Sequence, residues 1–315
     1  MKMAEFLYGN FAFLYGVCEL NFIKQILDKI IKIFLLVIRI GQFALSLLFC
    51  SIIVFCLIFV RANDKSVVVT KYESTSDKIT NRIKIVQISD LHDFDNVDEI
   101  ISKVKNEKPD IIVTTGDMFD GNRPDIKNTL NLYEGLVLLD VPMYYVSGNH
   151  EETKPELMLS FVEQLDKLGV TTLRNEVDTI SISNNKVNII GLSKSIKYSK
   201  QICELEVSNS NLNIVLCHFP EDFDKLLTDE ELYYGENLTW DMNFLFTGHA
   251  HGGQIRFFDK GIYSPSQGFL PKYTHGIYEL TENEKLVVNS GLGNSMFPIR
   301  INNQPEIVSL VINPE

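Results

Sequence analysis

At 315 residues, with 45% hydrophobic and 22% charged residues, the chain has ordinary globular usage and can bury one sizeable core. Its formal net charge of −12 is unevenly spread: through Lys65 seven basic residues face four acidic ones, a net of +3, and the remainder carries 22 basic against 37 acidic, a net of −15. So acidic a body repels nucleic-acid phosphates, which argues against a DNA or RNA partner and against a nuclease.

In chain order, the first feature is the apolar run Phe6 to Cys18, short for a second membrane segment and a candidate interfacial helix. The second is Ile40 to Val60, 21 residues without a charge, interrupted only by Gln42, Ser46 and Ser51 and bracketed by Arg39 and Arg61. As a helix it would cross a hydrocarbon core of about 30 Å, and a buried soluble helix of that length should show a polar stripe. Its apolar core exceeds the length usual in signal peptides, so a retained, single-pass anchor is expected, with the transmembrane helix at about 40–60. Lys24, Lys29, Lys32 and Arg39 precede the span and Arg61, Lys65 and Lys71 follow it, a slight bias that puts the body outside the cytoplasm. Two parts are therefore expected, an anchor over 1–65 and one catalytic domain over 66–315. Of the five cysteines, Cys18, Cys50 and Cys56 lie in the anchor region and Cys203 and Cys217 in the body; with no CxxC spacing, each reads as a small buried hydrophobe.

Lys65 to Asn81 is polar and reads as a linker or an edge strand. Beyond it, short β-rich runs (Ile83 to Ser89, Ile111 to Thr115, Met143 to Val146, Ile214 to Cys217, Phe244 to Thr247) alternate with helical patterns at Val97 to Asn106, Ile126 to Leu139 and Pro155 to Leu168. Asn175 to Leu192 reads as a hairpin turning at Asn184 and Asn185, and further strands are expected at Gln254 to Phe258, Gly276 to Leu280, Leu286 to Asn289 and Ile307 to Ile312. The expected fold class is α/β: a two-sheet sandwich core flanked by helices, preceded by the membrane helix.

Each of the five alternating runs stops at residues able to bind metal: Asp90-Leu91-His92, Gly116-Asp117-Met118-Phe119-Asp120, Gly148-Asn149-His150-Glu151, Cys217-His218 and Gly248-His249-Ala250-His251. Singly these are ordinary, since Asp90 could cap a turn and His218 could be a core histidine. Together, at the carboxyl ends of strands where α/β sites form, they imply one metal-dependent site, because unpaired buried Asp and His are costly. His275 lies apart from these endings and reads as a surface histidine.

In this order, D-x-H, G-D-x-x-D, G-N-H-[DE], a later His and G-H-x-H resemble the signature of the calcineurin-like metallophosphoesterase superfamily, over essentially the whole body. Gly248 to Arg256 (GHAHGGQIR), Ser290 to Asn294 (SGLGN) and Pro298 to Ile307 (PIRINNQPEI) look like its bacterial membrane-anchored branch. The resemblance implies two divalent ions, Mn, Fe or Zn. Asp90, His92, Asp117 and His251 would bind one and Asn149, His218 and His249 the other, with Asp117 bridging. It further implies attack by a metal-bridging hydroxide on a phosphate ester or pyrophosphate, with His150 as general acid or hydrogen-bond donor. Glu151 stands where Asp is commoner and Ala250 where Thr is, in positions that need not touch metal, and Asp120 is a candidate to orient a ligand from behind. Gly121 follows Asp120 where the Ser/Thr protein phosphatases carry a phosphate-gripping Arg, and Arg123 lies two residues on, which argues against protein phosphatase activity. Small-molecule or lipid phosphoesters are the expected substrates, the anchor suggesting lipid or envelope compounds. A non-catalytic metal-bound scaffold is disfavoured, since no ligand position is lost.

Overall fold

The computed structural model describes residues 2–62, 65–92, 94–122, 125–193, 202, 204–223, 238–294 and 298–315. The chain divides into two compact units, Met1–Val60 and Arg61–Glu315. The first is a single helix, α1 (Lys2–Ala62), far longer than the expected span. Charge ends a membrane span but not a helix: Lys24, Asp28, Lys29 and Lys32 are tolerated in helices, and no proline interrupts the run. Within it, Phe22–Leu57 is long and apolar enough to cross a membrane. Ser46 and Ser51 return their hydroxyls to the Gln42 and Leu47 carbonyls one turn back (3.0 and 2.9 Å), a bond that satisfies them within the helix itself. Cys50 and Cys56 are exposed on this helix, contrary to the buried reading; Cys217 is buried as expected, and Cys203 lies outside the described residues.

In the second unit the elements are β1 (Val68–Ser76), β2 (Ile83–Ile88), α2 (Val97–Glu107), β3 (Ile111–Thr115), α3 (Lys127–Val137), β4 (Met143–Val146), α4 (Asn149–Glu152), α5 (Pro155–Leu168) and β5 (Thr171–Thr172). The hairpin β6 (Glu176–Ile182) and β7 (Asn185–Gly191) precedes β8 (Leu212–Leu216) and β9 (Phe244–Thr247). Two small hairpins follow, β10 (Arg256–Phe257) with β11 (Lys260–Gly261) and β12 (Tyr263–Ser264) with β13 (Gly268–Phe269), then β14 (Gly276–Glu279), β15 (Lys285–Val288) and β16 (Glu306–Pro314). Among the described residues two six-stranded sheets form, ordered β1-β16-β2-β3-β4-β5 and β14-β15-β9-β8-β7-β6. Strands β2 to β5 are parallel, as are β15, β9, β8 and β7; β16 runs antiparallel to β2.

Alternation along β2 explains the layering. Ile83 and Ile85 enter the core between the sheets, with Val113, Val187, Ile189, Ile214, Phe246 and Leu310, whereas Val86 and Ile88 face a second core under the helices with Ile100, Val104, Leu132 and Phe161. The sandwich is therefore closed by apolar residues of both sheets, each fully buried Ile or Leu contributing about 1.5–3 kcal/mol. A third cluster, with Val215, Leu245 and Trp240, covers the far face of the second sheet. Gln87 continues the inward series at the carboxyl end of β2, where apolar packing gives way: its Nε2 donates to Thr115 Oγ1 and to the Thr247 carbonyl of the other sheet, both at 2.9 Å. Polarity enters the sandwich at that end.

If α1 holds the chain in a bilayer, the full-length protein stays with the membrane pellet after an alkaline wash and a chain beginning at Lys65 is soluble. Recovery of the full-length chain in the supernatant would refute the anchor.

Candidate metal centre

Because β2, β3 and β4 are parallel in one sheet and β8 and β9 in the other, the five predicted endings emerge together. The loops are laced by backbone bonds: Asp90 N–H donates to the Gly116 carbonyl (3.0 Å), His92 N–H to that of Asp117 (3.2 Å) and Gly248 N–H to that of His218 (3.1 Å). Across the sheets, His249 N–H donates to both carboxylate oxygens of Asp90 at 3.1 Å. That approach requires Gly248, where a Cβ would overlap Ser89 Oγ and Asp90 Oδ2. Asp90, His92, Asp117, His249 and His251 all hold positive φ, between 45° and 63°. Such residues cost about 1–3 kcal/mol each, so five of them approach the whole net stability of a domain and must be held by their surroundings.

All seven residues predicted to bind metal, and His150, are brought together. Asp90, His92 and His251 form one group of facing donor atoms, Asp117, His218 and His249 a second, and His92, Asp117 and His150 a third, the atoms of each lying within 4.8 Å of one another. His92 Nε2 stands 3.3 Å from His251 Nε2, which is 3.4 Å from Asp90 Oδ1. His218 Nε2 lies 3.2 Å from Asp117 Oδ2, 3.1 Å from Asn149 Oδ1 and 3.1 Å from His249 Nδ1. Asp117 Oδ2 is also 3.8 Å from His92 Nε2 and 4.0 Å from His150 Nε2.

The donor set demands a cation. His218 Nδ1 lies 2.7 Å from the Thr115 carbonyl, which can only accept, so the ring proton sits there and the Nε2 lone pair faces a carboxylate and an amide oxygen. Acceptors crowded in this way repel unless positive charge lies between them. The electrostatics carry the same demand for positive charge: burial opposes charging of His218, yet Asp117 and Asp90 push it up to about 10. Burial holds His92 down to about 4 and His249, beside His218, down to about 3, leaving neutral imidazoles with a lone pair to give. Burial raises Asp90 to about 6, while Asp117, though equally buried, is held well below the usual carboxylate range by His218, His92 and His150. The residues present thus fit metal ions bound among neutral imidazoles and carboxylates.

Three contributors escaped the sequence reading. Glu151, expected only to keep clear of metal, knots two loops: its carboxylate accepts the backbone N–H groups of Gly148 (2.8 Å), Asp117 (2.9 Å), Met118 (2.5 Å) and Phe119 (3.3 Å). Burial and the Asp117 charge push this carboxyl up to about 7, but four N–H donors favour the anion, and an N–H cannot accept from a protonated oxygen. Buried Arg300 donates to the Ser290 carbonyl (2.8 Å) and stands 3.3 Å from His251 Nδ1, and Asn303 Nδ2 donates to the His251 carbonyl (2.7 Å). Both sit in the PIRINNQPEI stretch, whose pattern carried no geometric hint of this contact. Asp120, a candidate to orient a metal ligand, instead faces His150, its Oδ1 3.4 Å from His150 Nδ1. His275 pairs with Thr274 and Asp259 away from these groups, and Arg123 lies outside the described residues.

A sequence profile described as calcineurin-like phosphoesterase matches residues 83–253. The chain is similar to an uncharacterized metallophosphoesterase of Aquifex aeolicus, 30% identical over 78% of this chain and 91% of that one. One of Campylobacter jejuni is 28% identical over 98% of this chain and 80% of its own length. A Bos taurus protein named as a transmembrane protein with metallophosphoesterase domain is 25% identical over 74% of this chain and 53% of its own.

Glu151→Gln turns an N–H₂ toward backbone donors. Metal-free protein should lose about 1–3 kcal/mol, the cost of a buried unmet donor, read from its urea midpoint. An unchanged midpoint would show that the knot contributes nothing.

Proposed function

The chain belongs to the calcineurin-like phosphoesterase family, metal-dependent hydrolases of phosphoric esters, and on that footing we propose that it hydrolyses phosphate ester or pyrophosphate bonds with two divalent ions. Asp90, His92, Asp117 and His251 would hold one and Asn149, His218 and His249 the other. The observation that carries this reading is Asp117 itself: one buried carboxylate oxygen faces His218 Nε2 at 3.2 Å and His92 Nε2 at 3.8 Å, and so serves both donor groups. Mixed carboxylate, amide and imidazole donors suit Mn, Fe or Zn without selecting among them. When bound, the ions would acidify a water, orient the ester and offset charge developing at phosphorus.

The protein's own part lies with His150. Gly121 N–H donates to its Nδ1 (2.9 Å), which keeps a lone pair there and leaves the ring proton on Nε2, the nitrogen turned toward Asp117. With its Nε2–H directed into the site, His150 is placed as a hydrogen-bond donor to the phosphoryl or leaving oxygen, the one of its two implied roles that this arrangement supports. Its backbone N–H meanwhile donates to Asp117 Oδ1 at 2.8 Å, which fixes the ring relative to the metal-binding carboxylate.

Asp117→Asn removes charge where both ions would bind and should lower metal content and turnover together. His150→Ala should keep near-normal metal content while kcat falls about 10²- to 10³-fold, the scale of losing one transition-state donor. A metal site emptied by His150→Ala, read by elemental analysis, would reassign that residue.

Lipid or envelope phosphoesters are the substrate class we propose, with the chain single-pass and its body outside the cytoplasm. Supporting this are the apolar α1, the basic residues before the uncharged run that begins at Ile40 and the transmembrane relative. Protease added to intact spheroplasts should digest the body; complete protection would reverse the orientation.

A further inference from the structure

Outside α1, the described residues expose seven large apolar side chains, and four of these, Phe257 (70%), Phe258 (88%), Phe269 (80%) and Leu270 (78%), fall within one short excursion. They sit on the hairpins β10/β11 and β12/β13, directly after the His251 turn. Ring contacts pair Phe257 with Phe258 (4.8 Å) in one hairpin and Tyr263 with Phe269 (5.4 Å) in the other, and Ile262 ties the two together, its N–H donating to the Ile255 carbonyl and its carbonyl accepting from Leu270 N–H, both at 2.9 Å. Phe258 and Leu270 each hold φ 55°, a conformation that turns normally give to Gly, Asn or Asp. Backbone strain and hydration both oppose bulky apolar side chains at these two positions, and neither is buried in a core. Folding does not explain them.

We propose that these hairpins dip into the surface of an anionic lipid bilayer. The charge around the tips fits that occupant: residues 254–275 carry a net of +2 within a body that nets −15, and exposed Lys260 and Lys272 outnumber Asp259 there, while the Arg256 guanidinium turns inward to the Gly252 carbonyl (3.0 Å) and Ser290 Oγ (2.5 Å). Aromatic and leucine tips flanked by exposed lysines suit the interface, the rings entering the acyl boundary and the lysines meeting headgroup phosphates. Covalent attachment to α1 keeps the body at high effective concentration against any bilayer that helix crosses. The excursion is also locked to the metal-binding turn: a Cβ on Gly253 would overlap the Gly261 Cα, and Ile262 N–H donates to the Gly253 carbonyl (3.1 Å). Contact at the tips therefore fixes the site against the membrane surface, where lipid phosphoesters lie. The proposal rests on the membrane reading of α1 and is independent of the hydrolytic one.

The test uses the full chain in nanodiscs of anionic lipid with brominated acyl chains. The native Trp240 is only 4% exposed and gives a constant background, so Phe258→Trp and Phe269→Trp each add one reporter at a tip. Each reporter should shift to the blue and lose roughly half or more of its added emission to brominated lipid, as burial of about 5–10 Å implies. Lys260→Glu with Lys272→Glu should reduce that quenching. Reporters that stay open to aqueous iodide and ignore brominated lipid overturn the proposal alone, as does emission that shifts only with protein concentration in detergent, the mark of contact between two copies. A chain that never enters the discs overturns it together with the α1 reading. Turnover is not measured, so failure of the phosphoesterase reading would leave the result standing.

Discussion

The Asp117 carboxylate is 1% exposed and keeps its charge against burial, because three imidazoles and the His150 backbone N–H face it. A charge in that position forces the arrangement around it. His218 must hold its ring through Thr115, Glu151 must gather the N–H groups of the residue itself and of the two that follow, and Gly148 must admit the side chain where a Cβ would overlap Asp117 Oδ1. The positive φ values at five of the predicted ligand residues follow from the same demand. Side chains from separate strands can converge on one point only if the backbone turns sharply directly after each strand.

The sandwich supplies the rigidity that such turns need. Its interior is apolar along most of its length and becomes polar at the carboxyl edge, where Gln87 links Thr115 with Thr247, and Asn289 donates to the Gln87 carbonyl (3.1 Å) while accepting from Gly291 N–H (2.7 Å). From there the loop after β15 reaches the site: Leu292 and Gly293 N–H groups donate to the Asp90 carbonyl (3.1 and 2.7 Å). The loops that carry the candidate ligands are therefore braced by both sheets and by residues near 290 and 300, well removed in sequence from any of those ligands.

What the sequence disclosed follows from the length scale of each signal. Strands β3, β4 and β9 and helix α5 were legible to the residue, since a run of apolar residues bounded by Gly, Pro or polar residues encodes its own ends. The candidate site was legible because five runs ended in the same residue types. Gln254 to Phe258, expected as one strand, is in fact a turn followed by the two-residue β10, because Gln254 and Phe258 hold positive φ and alternation over five residues cannot register that. Helix α1 extends well beyond Ile40 to Val60, because the end of an uncharged run does not set the end of a helix. Glu151, Arg300 and Asn303 were missed for another reason: their partners are backbone groups of distant loops, and no local pattern encodes which carbonyl or N–H a buried side chain will meet.

Strand β16 lies between β1 and β2, pairing with the first in parallel and the second in antiparallel, although more than two hundred residues separate it from either. During synthesis the edge of β2 must wait, unpaired, until the ribosome has passed residue 314, roughly ten to forty seconds at about 5–20 residues per second. Throughout that interval the nascent chain presents an apolar strand edge on which other segments could pair. Maturation of this protein is thus gated by its last strand, and a lesion that stalls translation between β2 and β16 would yield a chaperone client long before it yielded a partially active enzyme.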